Sequence, residues 1–227
     1  MAVIRALVSP PVRGAWKVLV PMFEAASGHR LDIEWAGIQA IRKRVGEGET
    51  RDLVVASQEC IDFLVGAGRL AERVDLVRAE TGVGVRRGAR RPDLTSVASL
   101  QRELRAAKKV GYSTGPSGVH VAGLFKQWGM DAELAPKLLL APSGVMVGTF
   151  IASGEVEFGF QQKSELIEID GVEFVGTLPA PIALTTYFSA GIPRGGAEEA
   201  AVRAWLAFAT ASAAALVLRK HGLEPAR

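Results

Sequence analysis

Compact apolar runs alternate with stretches in which apolar residues return every third or fourth position, and this alternation holds along almost the whole chain. Residues 3–8 read as a short buried strand. Ser9-Pro10-Pro11 follows as a helix start, because serine is a favoured N-cap and proline is tolerated in a first turn. Residues 12–26 carry helical spacing; Pro21 is expected to kink that helix and Gly28 to end it. Residues 29–35 alternate like a strand, 40–45 form a short helix, and 52–56 a buried strand. Ser57 is then expected to cap a helix reaching Val65. Residues 75–86 read as a long strand broken at Thr81-Gly82 and again at Gly84. Helices are expected over 96–107, 117–128 and 145–152, and strands over 109–112, 156–161, 172–176 and 182–190. A last helix covers 197–220, with a break near Thr210.

Strands alternating with helices imply parallel pairing and an α/β fold. No repeat or low-complexity linker divides the chain. The long strand signals at 75–86 and 182–190 flank the middle third instead, which suits a second lobe inserted through a paired hinge. Residues 1–82 with 186–227 then form a discontinuous first lobe and 83–185 the second, each a mostly parallel sheet flanked by helices, with a ligand cleft between them.

Composition narrows the function. Of 227 residues, 48% are hydrophobic and 22% charged, an ordinary globular balance. A net charge of +3, from 27 basic and 24 acidic residues, gives no nucleic-acid footprint. The short basic stretches Arg42-Lys43-Arg44 and Arg86 to Arg91 read as solvated surface. The single cysteine, Cys60, excludes an internal disulfide and reads as a buried, inert thiol on an amphipathic helix. With only 3 histidines beside it, neither a transition metal nor another cofactor is expected. No apolar run is long enough to insert in a membrane; the most apolar stretch, 204–218, is bracketed by Arg203 and Arg219. No leader precedes the first strand, so the expected compartment is the cytoplasm if the chain starts as given and the periplasm if a leader was removed.

Three strand-to-helix junctions are rich in small and hydroxyl residues: Ser9-Pro10-Pro11, Tyr112-Ser113-Thr114-Gly115-Pro116-Ser117-Gly118, and Pro142-Ser143-Gly144-Val145. In open α/β sheets ligands gather outside the carboxyl ends of strands, and helix starts offer free N–H groups to an anion. The second junction lacks the lysine of a P-loop and the glycine spacing of a dinucleotide fingerprint. Gln161-Gln162, at the end of another strand, can donate to an anion's oxygens or accept from hydroxyls. Arg13, one turn from Ser9, opposes its own helix dipole, a cost that a bound carboxylate would offset. His120, near a helix start, is the one candidate for a catalytic base among the histidines.

In order along the chain, several segments resemble the molybdate-binding proteins of ABC transporters, within the two-lobed (type II) periplasmic solute-binding proteins. They are Ala6-Leu7-Val8-Ser9, Val45-Gly46-Glu47-Gly48, Asp52 to Ser57, Ser117-Gly118, Phe150 to Gly159, and His221-Gly222-Leu223. The resemblance implies a type II fold, a small oxyanion or carboxylate as ligand, and an ABC permease as partner. It implies ligand contacts at Ser9, at Ser117 and near Gly144-Val145. The family's second binding serine falls at Gly37-Ile38-Gln39 and its binding tyrosine at Gln162, so this chain departs from the molybdate pattern there. Pro10, Ser113, Thr114, Gly115, Gly118 and Gln161 complete the expected lining, with Arg13 or Lys163 balancing charge. The aconitate isomerases resemble an enzymatic branch of the same family, and for such chemistry only His120, Glu165 and Arg13 offer themselves. Binding is therefore the preferred reading, with isomerisation of a small di- or tricarboxylate and effector sensing as alternatives.

Overall fold

The computed structural model describes residues 1–226. In chain order the elements are β1 (Val3–Val8), α1 (Arg13–Ser27), β2 (Arg30–Trp35), α2 (Ile38–Gly46), β3 (Leu53–Ser57), α3 (Gln58–Gly66) and β4 (Glu72–Arg86). They continue with α4 (Val97–Ala106), β5 (Val110–Tyr112), α5 (Pro116–Gln127), α6 (Asp131–Leu134), β6 (Leu138–Leu140), α7 (Val147–Ser153), β7 (Phe158–Gln162) and α8 (Lys163–Leu166). The last are β8 (Val172–Thr177), β9 (Thr185–Ile192), α9 (Glu199–Ala209), α10 (Ala215–Lys220) and β10 (Glu224–Pro225). The chain forms two compact units, Met1–Ala79 with the segment from Tyr187 onward, and Glu80–Thr186. It passes between them within β4 and again within β9.

In the first unit β1 pairs in parallel with β2 and β3, while β9 joins β3, and β10 joins β4, in antiparallel fashion. The sheet is covered on both faces, which is why β1 and β3 are nearly continuous apolar runs. Ile4, Ala6 and Val8 point to one side, into a core with Trp16, Leu19, Val202 and Trp205 from α1 and α9. Leu7, Val54 and Ala56 point to the other, against Ile41, Val45, Ile61 and Leu64 from α2 and α3. α1 runs through Pro21 and ends at Gly28, whose φ of 71° is the left-handed conformation glycine adopts freely. No single helix among the described residues is long and apolar enough to cross a bilayer; α9 and the segment after it qualify by length only as a pair bent by 68°.

In the second unit β5 pairs in parallel with β6 and β7, and β4 pairs antiparallel with β7 and β8. The strand expected to break at Gly82 and Gly84 runs unbroken from Glu72 to Arg86, with only a register shift against β8 between Val83 and Gly84. Side chains alternate across a sheet, and here the glycines share one face while Val83, Val85, Phe158 and Phe160 pack on the other. Neighbouring side chains fill the space over that glycine face. A methyl group on Gly159 would sit 2.5 Å from Val147 Cγ1, one on Gly84 would sit 3.0 Å from Leu166 Cδ2, and one on Gly82 would sit 2.3 Å from Phe174. The glycines mark close approach of helix and strand to the sheet, and the strand passes through them. Both sheets are mixed, so the overall class is α/β of the type II periplasmic-binding-protein kind, with antiparallel strands in each unit.

Candidate functional site

In the first unit the parallel register aligns the carboxyl ends of β1, β2 and β3, with Val8 opposite both Trp35 and Val55. Ser9 continues β1 by donating its backbone N–H to Val55 O at 2.8 Å, and Ala36 N–H donates to Val8 O at 3.0 Å. Ser9 was expected to cap the following helix, yet its side chain caps nothing. It is fully buried and its Oγ has no hydrogen-bond partner. Arg13 opens α1, its Nε is buried without a partner, and it forms no ion pair with any described residue. Its guanidinium carbon lies 4.9 Å from the centre of the Trp35 ring. Gly37 is the N-cap of α2 and Ile38 its first residue, both half-buried, and no side chain caps that helix. The first amides of α2 therefore lack intrahelical acceptors at the same strand-end edge as Ser9. Pro10 is half-buried in the single turn that joins Ser9 to α1.

The second unit aligns the carboxyl ends of β5, β6 and β7 in the same way, with Tyr112 opposite Leu140 and Phe160. Gly115 is the N-cap of α5. Ser117 is buried inside the first turn, its Oγ 3.3 Å from Ser113 Oγ, and Ser113 Oγ accepts the Gly115 N–H at 3.3 Å. Thr114 is half-buried in this loop. Gly118 holds the loop against the helix: a methyl group there would lie 1.7 Å from Ser113 O. Gly144 adopts φ +83° in an exposed turn closed by Val145 N–H donating to Pro142 O, so Gly144 and Val145 stand outside the buried polar groups.

The two glutamines have different roles. Gln161 Oε1 accepts the Val147 N–H at 2.8 Å and its Nε2 donates to Glu165 Oε1 at 2.9 Å, so both ends of the amide are engaged within the protein. Gln162 Nε2 donates to Thr186 Oγ1 at 3.0 Å, while its Oε1 is buried and unpartnered. Opposite it across the β4–β7 pair, Thr81 also has a buried, unpartnered hydroxyl, and Ser164 a third. Buried polar atoms without partners are rare in folded proteins and mark places where a guest or an ordered water completes the bonding. His120 is held through Nε2 to Ile182 O at 2.8 Å. Glu165 is buried beside Gln161, and Lys163 Nζ sits 5.5 Å over the Phe174 ring.

Thr81, Ser164, Thr186 and Trp35 were not among the residues expected from sequence. A threonine inside a strand, a serine in a short helix and a tryptophan on an alternating strand carry no local signal of a site. Cys60 is buried, which pushes its thiol up to about 11. Among the described residues no group of three or more His, Cys, Asp or Glu side chains could hold a metal ion. The basic stretches are partly neutralised: Arg44 pairs with Glu34 and Glu49, Arg90 with Glu103, and Arg91 with Glu173.

Aligned strand ends, small-residue helix starts and buried polar atoms without partners mark the strand-end edges of this α/β protein as its candidate sites. The chain belongs to the bacterial extracellular solute-binding proteins, whose family model matches residues 4–224. An aconitate isomerase from a Pseudomonas species is 32% identical over 227 residues, covering 96% of this chain and 86% of that protein. Among solved structures, the periplasmic molybdate-binding protein of Azotobacter vinelandii superposes with a TM-score of 0.77 at 16% identity, covering 97% of this chain and 98% of that one. A sulfate-binding protein of Mycobacterium tuberculosis gives 0.78 at 17% identity, covering 100% of this chain and 88% of that one. At such identities these structures define the fold.

Proposed function

We propose that the chain is a solute-binding protein that takes a small carboxylate at the strand-end edge formed by Ser9 and Arg13. The observation that carries this reading is the pair of buried, unpartnered polar atoms there, Ser9 Oγ and Arg13 Nε. A buried donor left without an acceptor costs free energy that a bound anion restores. A guanidinium's planar fork fits the two oxygens of a carboxylate. In the second unit the Ser113–Ser117 loop and the start of α5 offer further donors to the same class of guest. The name of the 32%-identical relative points to the same class, since aconitate is a tricarboxylate. A binder of this family would pass its solute to an ABC permease, on the outer side of the cytoplasmic membrane.

One observation favours a second reading, isomerisation of the bound carboxylate: the likeness to the aconitate isomerase spans nearly the whole of both chains. Such a reaction moves one proton between carbons of the substrate and consumes no cofactor. Glu165 and His120 are the bases this chain could offer, and His120 Nε2 is already engaged with Ile182 O.

Thermal unfolding in the presence of citrate, cis-aconitate, trans-aconitate, molybdate and sulfate tests the first reading, because only a ligand of the native state raises the midpoint. Stabilisation by the carboxylates supports it; stabilisation by molybdate or sulfate alone overturns it. Interconversion of cis- and trans-aconitate, followed by proton NMR, decides the second reading, and its absence at high protein concentration rules isomerisation out.

A further inference from the structure

We infer that Trp35 is a positioning residue for ligand binding, acting through Arg13; the inference rests on the carboxylate reading of the Ser9–Arg13 edge. Arg13 sits in the first turn of α1, where the helix dipole disfavours a cation. Among the described residues it has no carboxylate partner, and its buried Nε has no acceptor. The contact that orients its guanidinium is the Trp35 ring, 4.9 Å from Cζ. That ring is itself fixed. Trp35 ends β2 in register with Val8, and it meets Trp16 edge-on at 6.3 Å and 64°. Trp16 in turn meets the fully buried Trp205 at 4.9 Å and 84°.

An aromatic face suits this task better than an acid would. A carboxylate holding Arg13 would occupy the N–H donors and cancel the charge that a carboxylate guest requires. An indole face attracts the cation through its quadrupole and leaves the in-plane N–H groups for the guest. Trp35 thereby sets affinity without having to touch the ligand.

Calorimetric titration of trans-aconitate and citrate into the wild type, Arg13→Ala, Trp35→Leu, Trp35→Phe and the Arg13→Ala/Trp35→Leu double variant tests this, well below each variant's melting midpoint. Trp35→Leu should weaken binding about 3- to 30-fold, the range a cation over an indole face supplies. Trp35→Phe, which keeps an aromatic face, should recover part of that loss. In the Arg13→Ala background, Trp35→Leu should cost about 2-fold or less, because its effect runs through Arg13. Wild-type affinity in Trp35→Leu, or losses that multiply in the double variant, would overturn the inference. Where Arg13→Ala binds too weakly to titrate, the contrast decides: rescue by phenylalanine supports the inference, and equal losses with leucine and phenylalanine refute it. An Arg13→Ala variant that binds like the wild type would instead refute the carboxylate reading itself, whatever Trp35 does.

Discussion

Gln161 and Val147 are joined by a buried hydrogen bond, the backbone N–H at the start of α7 donating to the side-chain oxygen at the end of β7 at 2.8 Å. The same amide donates to Glu165, so one side chain ties α7, β7 and α8 together. Gln161→Leu should leave the Val147 N–H without its acceptor, remove one hydrogen bond from Glu165 and destabilise the protein by about 1–3 kcal/mol. A lowered urea midpoint with ligand affinity little changed is the expected result. Lost affinity at unchanged stability would assign Gln161 to the ligand after all.

Two glycines of α5 should respond in opposite senses to alanine. Gly118→Ala places a methyl group 1.7 Å from Ser113 O, so the loop or the helix start must move. A cost of about 1–3 kcal/mol or more should follow, read by denaturation. Gly123 lies exposed in the same helix, and a methyl group added there would have nothing within 4 Å. Gly123→Ala should stabilise by about 0.5–1 kcal/mol through helix propensity alone.

The cluster of Glu34, Arg44, Glu49 and Arg51 in the first unit predicts an acid-sensitive contribution to stability. Hydrogen bonds from Arg44, and then from Arg51, pull Glu49 from its ordinary 4.5 down to about 2. A carboxylate whose folded pKa is depressed stabilises fully above its unfolded value, and that stability is lost as pH falls through the folded value. The melting midpoint should therefore fall between about pH 4.5 and pH 2, and Glu49→Gln should flatten the fall over that window. An identical pH profile for the variant would contradict the assignment.

Cys60 should resist alkylation. Burial holds its thiol up near 11, so little thiolate forms at neutral pH and reagents cannot reach it. Iodoacetamide should label it slowly in the native protein and quickly in urea; rapid native labelling would place it at the surface.

Much of the fold was legible because β3 and the second half of β1 are buried on both faces. The runs at 3–8 and 52–56 could satisfy their apolar pattern only between two layers of helices. Antiparallel pairing was not legible, since β9 meets β3 and β7 meets β4 across long sequence separations that no local period records. The strand Leu138–Leu140 was missed because three leucines fit a helix as well as a strand. Gly82 and Gly84 looked like breaks because their real task, admitting Phe174 and Leu166 close to the sheet, depends on what packs above them. Serines before helices were read as caps, yet Ser9 and Ser57 cap nothing with their side chains, whereas Ser96 does accept from the Ser99 N–H. Ser9 and Arg13 stood out by residue type and spacing. Trp35 could not, because on an alternating strand it reads as one more core residue.

The central claim is that a small carboxylate is held at the edge carrying Ser9 and Arg13. Calorimetric titration of citrate and trans-aconitate into the wild type and into Ser9→Ala/Arg13→Ala tests it most directly. The wild type should bind one of them at a single site, and the double variant, still folded, should lose at least about 10-fold in affinity, the worth of one hydrogen bond to a charged group. Equal affinity in the two proteins would contradict it.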